Sequence, residues 1–124
     1  MVIGICNVEL HLPGNGSLKG KRSILKPLLA RLRRKFNLAA AEVGRNDAWQ
    51  SAEIAFVTVA NDPGHVHAVL ERAVRWIETH HPEVQVVDWE IEVLIKVVKF
   101  RRRKHSRRRF ERRRSKNEVD PVGL

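Results

Sequence analysis

Two segments with helical spacing each sit between runs rich in Val and Ile, so the chain reads β-α-β-β-α-β along its length. The first run, VIGICNVELHL (residues 2–12), has the composition of a buried strand. Pro13-Gly14-Asn15-Gly16 breaks it into a loop. From Leu18, apolar residues recur at 18, 25, 28, 29, 32 and 36, which is the period of a helix. Pro27 falls inside that pattern. It lacks an N–H and clashes with the preceding turn, which costs ~3 kcal/mol or more in a helix interior. A kink there is expected, or a helix that begins later. AAAEVG (39–44) reads as a short strand, Gly44-Arg45-Asn46-Asp47 as a turn, and AEIAFVTVAN (52–61) as a second strong strand. Asp62 then Pro63 supplies a cap and a first-turn proline for a second helix. Its inner face is Val66, Val69, Leu70, Ala73, Val74 and Ile77, and His80-His81-Pro82 ends it. Residues 84–98 alternate, with Trp89, Ile91, Val93, Ile95 and Val97 on one side and Asp88, Glu90 and Glu92 on the other.

Right-handed crossovers and two-layer packing turn this order into a ferredoxin-like α+β sandwich. Four antiparallel strands would form one sheet, with both helices on one face. The domain is expected to span residues 1–98, followed by an Arg-rich tail over 99–124 that is flexible when free.

Charge divides the chain in the same way. The net charge is +10, yet residues 1–95 carry 11 Lys/Arg and 11 Asp/Glu. The whole excess lies in residues 96–124, with 13 cations and 3 acids. Within the neutral part, residues 18–35 hold eight cations and no acid, whereas residues 37–95 hold three cations and ten acids. Such asymmetry points to a polyanionic partner met by the first helix and the tail. No run approaches the ~18 apolar residues of a membrane span, and no secretion signal is evident, so a cytoplasmic protein is expected. The single cysteine, Cys6, excludes an intrachain disulfide and reads as a small buried hydrophobe.

HLPGNGSLKGKRS (11–23) looks at first like a phosphate loop. Counting back from Gly20-Lys21, a Walker loop would need glycine where Asn15 stands, and Arg22 occupies the place of its hydroxyl residue. The dinucleotide pattern fails as well, because Lys19 stands where the third glycine belongs. What remains is an N-cap at Ser17, whose helix end attracts anions, crowded by Lys19, Lys21 and Arg22. Gly16, Ser17 and Lys21 are therefore candidates for an anion-binding loop, although helical geometry turns Lys21 toward the apolar side.

Four motifs in this region carry a resemblance. They are E-L-H-L-P-G (9–14), S-L-K-x-K-R (17–22), A-E-V-G (41–44) near D-x-W-Q (47–50), and A-N-D (60–62) before the second helix. Together they resemble the small bacterial YlxP-like family, domains of unknown function, over roughly residues 1–95. The resemblance implies a ferredoxin-like fold. It also implies a role around the ribosome or its RNA, since the family's genes often lie beside those for translation initiation and small-subunit maturation factors. This sequence departs from the family at Pro27 and in the basic tail.

The residues suggest RNA contact directly. Lys19, Arg22, Lys26 and Arg33 fall within a sector of about 60° on the first helix, with Leu18, Leu25, Leu28, Leu32 and Phe36 on its other side. That stripe can track a phosphate backbone or be a solvated face. KFRRRKHSRRRFERRRSK (99–116) holds twelve Lys/Arg in eighteen residues. Its Arg101, Arg102, Arg103, Arg107, Arg108, Arg109, Arg112, Arg113 and Arg114 suit phosphate contacts and guanidinium stacking. The sheet does not suit RNA. RNA-recognition motifs stack bases on aromatic residues of their central strands, yet the first strand has none and the other offers only Phe56. Its open face is expected to show Glu9, Asp88, Glu90 and Glu92, which repel phosphate.

Other chemistry is poorly supplied. Ferredoxin-like acylphosphatases use an arginine in the loop after the first strand and an asparagine elsewhere. Here Asn61 is present, but the arginine comes later, on the helix. His65 and His67 do not share a helix face, and no histidine spacing suits zinc. Glu9 and His11 share one strand face as a possible polar pair without a nucleophile beside them. Asp47, Trp49 and Gln50 form a polar hairpin tip, either a structural turn or a partner contact. A non-enzymatic, RNA-associated accessory protein is expected, with no cofactor, metal or small-molecule substrate. The alternative is a homodimeric interaction module whose edge strands pair.

Overall fold

The computed structural model describes residues 1–95. Its elements are β1 (Val2–His11), α1 (Leu18–Phe36), β2 (Ala39–Gly44), β3 (Ser51–Ala60), α2 (Pro63–His80) and β4 (Gln85–Ile95). The strands form one antiparallel sheet in the order β2-β3-β1-β4. This is the ferredoxin-like sandwich the alternation predicts. Residues 96–98 of the expected last strand and the whole 99–124 tail lie outside the described residues.

Period-two patterning decides which face is covered. Val2, Cys6, Val8 and Leu10 of β1 and Ala52, Ile54 and Phe56 of β3 are buried beneath the helices. Leu25, Leu28, Leu29 and Leu32 of α1 meet them, as do all six predicted inner residues of α2. Each Val, Leu, Ile or Phe among them contributes about 1.5–3 kcal/mol of burial. Gly4 permits the close approach of α2, because a Cβ there would lie 2.2 Å from Val66 Cγ1. β1 and β4 slip register between Glu9 and Leu10, which leaves Val87 as the extra, exposed residue of a bulge.

Helix boundaries follow their caps. The Ser17 Oγ accepts from Gly20 N at 2.9 Å, and Asp62 Oδ2 accepts from His65 N at 2.9 Å. Asn37 ends α1 in the left-handed region, at φ 53°. The expectation of a later start for α1 is corrected, since the helix begins at Leu18 and continues through Pro27. Pro27 and Ser23, whose carbonyl it leaves without a helical donor, are both exposed, so water can serve that carbonyl. The leucines on the other face hold the helix regardless.

Cys6 is fully buried, and burial pushes its thiol up to about 12. Little thiolate therefore exists near neutral pH, and access requires opening the core. Ellman's reagent at pH 8 is expected to modify Cys6 only as fast as the domain unfolds, and rapidly in denaturant. Fast modification of the folded protein would contradict this placement.

Candidate nucleic-acid interface

The antiparallel register of β1 and β3 pairs His11 with Ser51, so the loop after β1 and the loop before β3 meet at one end of the sheet. Asn15 joins them. Its Nδ2 donates to Trp49 O at 2.7 Å and to Ser17 O at 2.8 Å. Gln50 Nε2 donates back to Asn15 O at 3.1 Å, and Leu12 N donates to Gln50 O at 2.8 Å. Gly20 makes room, since a Cβ there would lie 2.2 Å from Asn15 Oδ1. The His11 Nδ1 lies 2.9 Å from Gln50 O, which requires a proton on that nitrogen. The possible Glu9–His11 pair does not form, because Glu9 is bound to Arg45 instead. Three motifs that carry the resemblance, at 9–14, 17–22 and 41–50, are thus interlocked in space.

Lys21 also ties this assembly together, and its burial corrects its place in the expected anion loop. It is 2% exposed, and its ammonium donates to Arg45 O at 2.8 Å and to Ser51 O at 3.1 Å. Glu42 Oε2 lies 2.9 Å away. Two of the ammonium's three N–H groups thus go to backbone carbonyls, and the Glu42 carboxylate balances its charge as an ion pair without a hydrogen bond. It fastens α1 to the β2–β3 hairpin, and its burial beside a carboxylate keeps it from an outside anion. Gly16 and Ser17 remain exposed at the helix end, where the Leu18 and Lys19 amides have no intrahelical acceptor.

Lys19, Arg22 and Lys26 are exposed on α1, and among the described residues none of them is in an ion pair. No acid occupies the first turn of α1. Arg33 is exposed but partly committed, since its Nε and Nη2 donate to Ala40 O at 3.2 and 2.8 Å. The nine tail arginines, Arg101 to Arg114, lie outside the described residues.

The open face of the sheet has the opposite character. Register places Asp88 opposite Glu9 and Glu9 opposite Glu53, with Glu90 and Glu92 further along β4. Asn7, Glu9, Arg45, Glu53, Asp88, Trp89 and Glu90 line a cavity there. Four carboxylates against one guanidinium make it hostile to phosphate. Phe56 is buried under the helices and cannot stack a base. The acylphosphatase-like pairing also fails. Val2 pairs with Ala60, so Asn61 follows the end of β3 opposite the basic loop, about 30 Å away at ~3.4 Å per residue.

With these features in place, comparison supplies the lineage. Residues 3–91 match the family described as "Protein of unknown function (DUF503)". The chain belongs to that family. It is 32% identical over 84 residues to the uncharacterized protein YlxP of Bacillus subtilis, covering 68% of this chain and 90% of that protein. Among solved structures, the de novo designed protein Foldit4 is similar over 78% of this chain and 100% of its own, with a TM-score of 0.46 and 12% identity. Neither relative's name states an activity.

Proposed function

We propose that this DUF503 protein is a non-enzymatic RNA-binding accessory protein that acts on ribosomal RNA or in ribosome assembly. It grips the phosphate backbone through the exposed face of α1 and the basic tail. The observation that carries this reading is the segregation of charge across the sandwich. Cations without ion pairs line the solvent face of the first helix, while carboxylates crowd the opposite, open face of the sheet. A polyanion is drawn to the first and turned away from the second.

Charge reversal on α1 tests the domain's share. Lys19→Glu with Arg22→Glu, in a chain ending at residue 98, is expected to abolish the RNA binding left after the tail is gone. The melting temperature should barely change, because both side chains face water and their repulsion by the helix dipole is relieved. A double variant that binds as its parent does would reduce α1 to a solvated face. A second reading has one observation in its favour: β4 is an eleven-residue edge strand with Val87, Leu94 and Ile95 exposed. An edge-paired dimer would elute at twice the monomer mass and ignore RNA.

A further inference from the structure

Trp49 is 55% exposed on a loop that is otherwise tightly held. Its carbonyl is bound by Asn15, its neighbour Gln50 is tied to Leu12 and Asn15, and Lys21 clamps both Arg45 and Ser51 on either side. Among the described residues no ring stacks on it. The fold thus holds a large indole outward on a preorganised support. Asn15 bridges its carbonyl to that of Ser17, the N-cap of α1, and packs against Gly20, in the first turn between Lys19 and Lys21. An ammonium and a guanidinium without ion pairs, on Lys19 and Arg22, flank that turn.

We propose that Trp49 is a stacking platform for an unpaired RNA base, with the adjoining phosphate held by Lys19 and Arg22. The proposal rests on the RNA reading and specifies its ligand as single-stranded or looped RNA. Bases in a duplex are already stacked and cannot lie on an indole, whereas splayed bases commonly do. A protein hot spot would also use an exposed tryptophan, but such sites sit within apolar patches. The exposed residues of its own loop are Arg45, Asn46, Asp47 and Gln50, and those of the loop tied to it are Pro13, Gly14, Gly16 and Ser17, followed by Lys19. Asp47 is the one acid among them, against Lys19 there and Arg22 further along α1.

The test uses the full chain with a short oligoadenylate and an RNA duplex of equal length. Trp49→Ala is expected to weaken oligoadenylate binding about tenfold to a hundredfold and to leave duplex binding within about twofold. Trp49→Phe should restore most of the loss, and both variants should keep the parent's melting temperature. Trp49→Ala binding oligoadenylate as tightly as the parent would overturn the platform while leaving the RNA reading intact. Equal loss on both RNAs without rescue by phenylalanine would overturn it too, by assigning Trp49 a structural role. An intact chain that binds neither RNA would remove the RNA reading, and the platform with it.

Discussion

Lys21→Ala is expected to be the most destabilising single substitution among the charged residues of this domain, at about 3–5 kcal/mol. The ammonium sits at 2% exposure, donates to two backbone carbonyls and balances the Glu42 charge. Deleting it strands a mostly buried negative charge and two acceptors at once. A domain of this size has about 5–15 kcal/mol in total, so the variant approaches global unfolding. Lys21→Met with Glu42→Gln removes the charge with its partner and is expected to recover a large part of the loss. Urea denaturation with the wild type, single and double variants measures both effects. A single variant within about 1 kcal/mol of wild type, the scale of an exposed ion pair, would show that the pair is dispensable.

Truncation after residue 98 is the second large effect, and it falls on binding and not on stability. The buried core lies between Val2 and Val84, and residues 1–95 are charge-neutral, so the shortened chain should stay folded. Its RNA affinity should drop steeply at low salt. If six tail cations contact phosphates, the tail alone contributes a slope of about −4 in log K against log salt. Fluorescence anisotropy over a salt series reads that slope directly. An unchanged slope would make the tail idle, and an insoluble 1–98 product would place the domain boundary elsewhere.

The fold was legible because its signals are local. The Asp62-Pro63 start and six-residue inner face of α2 need no knowledge of the rest of the chain. The acidic open face followed from strand alternation alone. Pro27 was harder, because the cost of a proline depends on whether the orphaned carbonyl meets water or protein, which only packing decides. Lys21 is hard to place for a related reason. Its position in a cationic run resembles that of Lys19, yet its partners come from Glu42, Arg45 and Ser51, twenty or more residues later. Helical phase turned it inward, but no local signal says that a carboxylate and two carbonyls wait there. Asn15, in what reads as an ordinary turn, was missed as the bridge between loops. Trp49 was visible in the sequence as a hairpin-tip residue, but its exposure on a braced loop was not.

Ultraviolet crosslinking of the intact chain to ribosomal RNA, with the attached peptides sequenced, tests the central claim most directly. The account predicts crosslinks on the first helix, on the 45–50 loop and on the tail, and none on the open face of β1, β3 and β4. Crosslinks confined to that acidic face, or none at all at physiological salt, would contradict it.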